Sequence, residues 1–465
     1  MTELPHRRIH GLACLFATVS VWLAATAQFT HGQAEPVPAK AIPSKPPHPS
    51  LSIEDEWIFD FKDDKERRGN ESRFTALVSS GSMGGVGDKK IIQEVIRWRL
   101  AQFTLKINRD AATTPPPVKE EKEKDKDNKK KDPPEKRGKP VHEIRQLILR
   151  DITQSSALNK PRQVRDEILK AIIAEIPPLF IKYDFVARLN GAILLAQLNE
   201  TDDPEVPYAD ANKLLLKLAA DETEHQAVRI WGVKGLVRMA AYEQMNPSIK
   251  MEIVRTMLGL LEGSNKKLTK DQKQELEWSW FNLRVVECLG YSNTLMVDQK
   301  PLVFKALAQT LYDEDEPLEV RAEAARSLSH LPLDGTVNVH AVVWETMQVL
   351  QSLSAKYAEG KSPSVARAKI NALTLYLAFN HMNTQEQRRG YGFINQANKP
   401  ALGGVKKVIT EAKDLMLPHV TAILNGTALP KSTKLDEWVK NNPPKDFRIG
   451  PSLELLRADL AGNAR

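Results

Sequence analysis

The chain reads as all-α: a series of stacked antiparallel helix pairs preceded by a disordered N-terminal region. Three observations predict this. From residue 141 onward, apolar residues recur at spacings of three and four, the period of a helix with one buried stripe, and almost no stretch alternates with a period of two. Breakers separate the periodic stretches: Pro177-Pro178, Asp202-Asp203-Pro204, Asn246-Pro247, Asp315-Glu316-Pro317 and Ser362-Pro363. The 465 residues are 42% hydrophobic but only 6% aromatic, enough for a core yet short of the bulky β-formers a sheet-rich fold uses.

At the N-terminus, Arg7 and Arg8 precede the apolar run GLACLFATVSVWLAATA, which closes on the small residues Ala25-Thr26-Ala27. This is the arrangement of a secretory signal peptide. At about 1.5 Å per residue the run reaches about 25 Å, short of a hydrocarbon core of about 30 Å. Residues 1–27 are therefore expected to be removed, leaving an exported protein of bacterial type, periplasmic or extracellular, with no stable membrane span. Gly32-Gln33-Ala34 offers a second cut site. Cys14 stands early in the apolar run, whereas a lipidated cysteine follows such a run. Loss of Arg7, Arg8 and Glu3 takes the chain from 66 basic and 59 acidic residues to 64 and 58, a formal charge of +6. So small an excess disfavours nucleic acid as a partner. One cysteine then remains, Cys288 in RVVECLG, which can form no internal disulfide and whose apolar setting predicts a buried thiol.

Residues 28–51 form a linker in which Pro36, Pro38, Pro43, Pro46, Pro47 and Pro49 forbid a helix or a central strand. Residues 52–112 are weakly patterned. Their SSGSMGGVGDKK segment lacks the Gly-Lys-Ser/Thr ending of a phosphate-binding loop and reads as a flexible turn with Asp88 as a helix cap. Ile91, Ile92, Val95, Ile96, Leu100 and Phe103 predict a lead-in helix over 88–107. Across 113–140 the apolar period vanishes. Lys119 to Lys139 carries ten basic and seven acidic residues, a solvated linker that cannot offset its ordering entropy by burial.

Helical patterns then follow over 141–153, 162–176, 179–198, 208–220, 224–241 and 247–262, and onward to 383, with a further helix over 406–424 and a capping tail to 465. Five helices, FVARLNGAILLAQL, AVRIWGVKGLVRMA, FNLRVVECLG, EVRAEAARSLSHL and VARAKINALTLYL, place an arginine near the start of an apolar face. Arg188, Arg229, Arg284, Arg321 and Arg367 are separated by 41, 55, 37 and 46 residues, and the longest step contains the polar insertion GSNKKLTKDQKQE. Such steps belong to helix-pair repeats. Gly191, Gly232, Ala324, Ala325 and Ala372 would let the helices approach closely, and the arginines are expected to cap carbonyls or pair with turn carboxylates.

The segment DEDEPLEVRAEAARSLSHL resembles a HEAT repeat through Asp315, Pro317, Val320, Arg321, Ala324, Ala325 and Leu328, and DETEHQAVRIWGVKGL matches without the proline. The resemblance covers roughly residues 145–380 and is degenerate outside these two segments. It implies a HEAT-like α-solenoid used as a scaffold or binding surface, and it informs fold more than function.

No H-E-x-x-H, G-x-S-x-G, close cysteine-histidine cluster or calcium-loop consensus is present, so the expectation is a non-enzyme without cofactor or metal. His225, His330, His340, His381 and His419 read as isolated, and the acidic turns Asp202-Asp203 and Asp313–Glu316 as solvated. Candidate partner-binding residues are Trp278 and Trp280 beside the polar insertion, and Arg388, Arg389, Tyr391 and Phe393 in TQEQRRGYGFINQAN. The expected function is noncovalent protein recognition or scaffolding. A hydrolase or other enzyme whose site lacks a sequence motif and a binder of an anionic polymer or cell-envelope glycan stand as the alternatives.

Overall fold

A computed structural model describes residues 57, 63–113, 138–157, 160–361, 364–381 and 389–446. Among them the protein is all-α, with one two-stranded hairpin. The expected leader, the proline-rich linker, most of the charged linker, Arg388 and the end of the tail lie outside the described residues.

The weakly patterned region holds a helix, α1 (Asp64–Ser80). The Asp63 carboxylate accepts from Glu66 N–H at its start, and Gly81, at φ 72°, closes it by donating to the Leu77 carbonyl. Its buried side chains, Phe74, Leu77 and Val78, are confined to the last two turns, too short a stripe to register as periodic. The expected lead-in helix ends early. α2 (Asp88–Ala101) is followed by a turn in which the Thr104 hydroxyl donates to the Ala101 carbonyl, and then by α3 (Lys106–Thr113). Asp88 is not the cap, a place that falls to Gly87. Its buried carboxylate instead accepts from the Gly84 and Gly85 amides and pairs with Arg73, so the glycine loop closes around an anion of the chain itself.

α4 (Val141–Ser155) packs on α1, and α5 (Gln163–Glu175) on α2. The buried pair Arg99 and Asp151 joins α2 to α4, and Arg97 holds Glu175 at 2.6 Å. The pattern over 179–198 predicts one helix. The structure divides it into α6 (Pro177–Lys182) and α7 (Phe185–Gln197), because the Asp184 carboxylate accepts from Val186 N–H and starts a new helix. The hairpin β1 (Asn199–Asp202) and β2 (Glu205–Pro207) follows, pairing Asp202 with Glu205.

The remaining helices are α8 (Asn212–Ala220), α9 (Gln226–Ala241), α10 (Pro247–Lys267), α11 (Lys270–Gln274), α12 (Leu276–Tyr291), α13 (Leu302–Tyr312), α14 (Leu318–His330), α15 (Val339–Ala358), α16 (Val365–Phe379), α17 (Phe393–Gln396), α18 (Lys406–Asn425) and α19 (Thr433–Asn441). They pack neighbour to neighbour in two rows. One row is α7, α9, α12, α14, α16 and α18; the other is α8, α10, α13, α15 and α19. Small residues set the spacing within the first row. A Cβ on Gly235 would lie 3.1 Å from the Ala196 Cα, and one on Gly290 only 2.7 Å from the Ser327 Cα.

Two segments ninety-two residues apart, Asp221–Arg229 and Asp313–Arg321, repeat two side-chain hydrogen bonds at matching positions. The Asp221 carboxylate accepts from Thr223 N–H and that of Asp313 from Asp315 N–H, each at 2.9 Å. The Arg229 Nε–H donates to the Ala219 carbonyl at 3.2 Å, and the Arg321 Nε–H to the Leu311 carbonyl at 2.9 Å. Glu224 and Glu316 are both buried, the first facing Arg188 and the second Lys273. The polar insertion is helical. α10 runs through its first half, and α11, opened by a reciprocal Thr269–Gln272 cap, forms its second.

Candidate functional site

Side chains from five segments converge where α4, α7, the hairpin, α9 and α12 meet. They line a depression of about 550 Å³ whose walls include Leu149, Ile152, Trp231, Val237, Lys234, Arg238 and Arg284. The hairpin fixes its rim. The Arg165 guanidinium donates to both Asp202 oxygens, at 2.7 and 2.9 Å, and to the Asn199 carbonyl. Arg238 donates to the Ala196 carbonyl at 2.6 Å and to the Asn199 side chain, tying α9 to the end of α7.

The charge in this depression is unevenly answered. Lys234 Nζ sits 3.9 Å over the Trp231 ring, a cation–π contact, and no carboxylate of the described residues lies within 4 Å of it. Burial, and then the nearby Arg284, push the Lys234 pKa below its ordinary value against the pull of Glu287. Arg238 is lowered in the same way by burial. Glu287 is divided between two cations: one oxygen accepts from Arg284 and the other from Arg326 at 3.4 Å. Arg326 continues the strip onto α14, chelated by Glu323 and lying over the Tyr291 ring. Burial disfavours its charge, but Glu323, Tyr291 and Glu287 outweigh that and raise its pKa. The result is a polar band across α9, α12 and α14 with its excess positive charge at the Trp231 end.

The two candidate tryptophans separate. Trp278 is partly buried edge-on to Phe281, with the Arg229 guanidinium above both rings, so it belongs to the packing of α9 against α12. Trp280 is 49% exposed beside Leu276 and is the member of the pair that offers surface. In the candidate loop, Tyr391 is 3% exposed and Phe393 fully buried, so neither presents a face to a partner. Tyr391 stacks on His330 at 4.3 Å, and Phe393 meets Phe379 edge-on. Arg389 pairs with Glu243 at 2.7 Å and donates to the Ala241 carbonyl, which anchors the loop to the end of α9. Gly392 allows the close approach: its φ is 95°, its N–H donates to the Ser329 carbonyl, and a Cβ there would lie 2.9 Å from the Phe379 carbonyl oxygen. Trp280 and the Tyr391 loop lie toward opposite ends of α12, about 16 Å apart along its axis. They do not form one site.

The histidines are not all isolated. His330 and His381, fifty-one residues apart, bring their Nε2 atoms to 3.1 Å in a buried cluster with Tyr291 and Tyr391. His225 caps α9 by accepting from Ala227 N–H, His340 faces the Asn442 carbonyl, and His419 faces the Ser354 hydroxyl. The acidic turn Asp313–Glu316 has a counterion within the chain. Lys273, 5% exposed on α11, lies 2.5 Å from Asp313 and 3.1 Å from Glu316, while Lys270 pairs with Asp315. Cys288 is a buried free thiol whose pKa is pushed up by that burial. Among the described residues no group of three or more histidine, cysteine or acidic side chains could hold a metal ion, and no helix is long and apolar enough to cross a membrane.

Local sequence gave no sign of the depression, since its walls come from residues 149 to 287. The one usable signal was the pair Trp231 and Lys234, three apart on a helix and thus on one face. Comparison with family models, curated proteins and solved structures finds no match.

Proposed function

We propose that the protein is an exported HEAT-like solenoid that recognises another protein noncovalently, without a cofactor, through the face formed by α7, α9, α12 and α14. The observation that carries the reading is the convergence of α4, α7, the hairpin, α9 and α12 on one lined depression that continues into the ion-paired band of Glu287, Arg326 and Glu323. Such a surface combines an aromatic wall, apolar side chains and fixed charges, the mixture found at the centre and rim of recognition surfaces. The two side-chain hydrogen bonds shared by Asp221–Arg229 and Asp313–Arg321 support the repeat assignment. The leader-like residues 1–27 support export.

Crosslinking of the tagged protein in its native exported fraction, followed by peptide mass spectrometry, tests this. The proposal expects a protein crosslinked near Lys234, with its yield reduced in a Lys234→Glu variant that melts like the parent. Recovery of the same proteins at the same yield by both, with crosslinks scattered over other faces, would count against it.

A further inference from the structure

The depression holds two neighbouring cations, Lys234 and Arg284, with Glu287 bonded to the second alone. Lys234 has the Trp231 ring as its neighbour and no carboxylate within 4 Å among the described residues. Arg284 donates one of its two Nη groups to Glu287. The other charges of the wall are already committed: Asp202 to Arg165, Arg238 to the Ala196 carbonyl, Asn199 and the exposed Glu205, and Glu287 to Arg326 as well as Arg284. Two neighbouring cations repel one another, and an anion beside both offsets that repulsion. Leu149, Ile152 and Val237 complete the wall, so the ligand must carry apolar surface beside its charge. About 550 Å³ accommodates one or two side chains and is too small for a folded element.

We propose that this depression binds a carboxylate carried next to an apolar group on an acidic peptide, with Lys234 and Arg284 as the donors and Trp231 as the apolar wall. The assignment rests on the protein-recognition reading and names the chemistry its partner presents. The carboxylate has two sources, an acidic side chain or a chain end, and either makes charge-assisted hydrogen bonds with an ammonium and a guanidinium.

The test uses the full chain with ¹⁵N-labelled tryptophan, the Trp231 indole resonance being assigned with a Trp231→Phe variant. Four probes are titrated: N-acetyl-Leu-Glu-Leu-amide, N-acetyl-Leu-Gln-Leu as the free acid, N-acetyl-Leu-Gln-Leu-amide and glucuronate. A saturable shift of Trp231 with the first or second peptide, about tenfold tighter than with the neutral third, is expected, and which of the two acts identifies the source. Lys234→Met should weaken it about tenfold with an unchanged melting curve, and Lys234→Arg should retain it. Equal binding of the neutral peptide, no shift with any peptide, or a shift with glucuronate alone would overturn the assignment. A protein crosslinked to this face at a yield unchanged in Lys234→Met would leave recognition standing while removing the carboxylate pocket. Peptide binding without any captured protein would do the reverse.

Discussion

Lys273 shows how a single buried charge organises its surroundings. Burial lowers its pKa, but hydrogen bonds and charge from Asp313 and Glu316 outweigh this and raise it, so the ammonium stays charged beneath the turn. Burial also raises the Glu316 pKa against the pull of Lys273, which makes the pair interdependent. Replacing Lys273 with Met leaves Glu316 buried without its cation. Urea unfolding should show a loss of about 3 kcal/mol, whereas Lys270→Ala, on an exposed pair, should leave the midpoint unchanged. Nothing near Asp313 in sequence announces a partner forty residues earlier, which is why an acidic turn reads as solvated. His330 offers a second residue-scale test. Burial, and then Arg326, His381 and Arg389, hold its pKa well below 6.5, with the rings of Tyr291 and Tyr391 completing its surroundings. The unfolded chain therefore binds a proton that the folded chain refuses. The stability this contributes is complete above 6.5 and is lost as pH falls below it. Between about pH 7 and about pH 5 the melting temperature of the parent should fall more steeply than that of His330→Phe, which keeps the stacking ring and cannot be protonated.

The helix α12 is the element on which the packing depends most visibly. Its Gly290 faces Ser327 so closely that an added Cβ would meet the Ser327 Oγ at 2.5 Å and its Cα at 2.7 Å, backbone that cannot move aside. Gly290→Ala should therefore destabilise by about 1–3 kcal/mol in denaturant unfolding, despite the better helix propensity of alanine. At Gly259, in the middle of α10, an added Cβ meets nothing within 4 Å. There the same substitution should stabilise by about 0.5–1 kcal/mol, and opposite signs at the two sites would separate packing from propensity. Which elements could be read in advance follows the same physics. Pro247 and Pro317 stand where helices begin, after the breakers Asn246 and Glu316, and those boundaries were legible. α1 was not, because its buried stripe is three residues long. The break at Tyr183 was hidden because the helical apolar pattern resumes directly after Lys182-Tyr183-Asp184, although Asp184 is the cap that starts the next helix.

Taken as a whole, the chain made its class legible and its surface illegible. The helical period and the regular breakers suffice for an all-α fold, and the paired segments around Arg229 and Arg321 show why helices recur in pairs. In the candidate loop Tyr391 and Phe393 are residue types that serve equally as a partner anchor or as pins to the helices, and here they pack against His330 and Phe379. Helical spacing already puts Trp231 and Lys234 on one face, and only the fold brings Arg284 to them. The most direct test of the recognition face is site-specific photocrosslinking in the exported fraction, with p-benzoylphenylalanine placed at Val237 in the depression or, as a control, at the exposed Ile181 on α6. The account predicts a discrete protein adduct from Val237, diminished by Lys234→Met, and none from Ile181. The same adducts from both positions, or none from Val237, would contradict it.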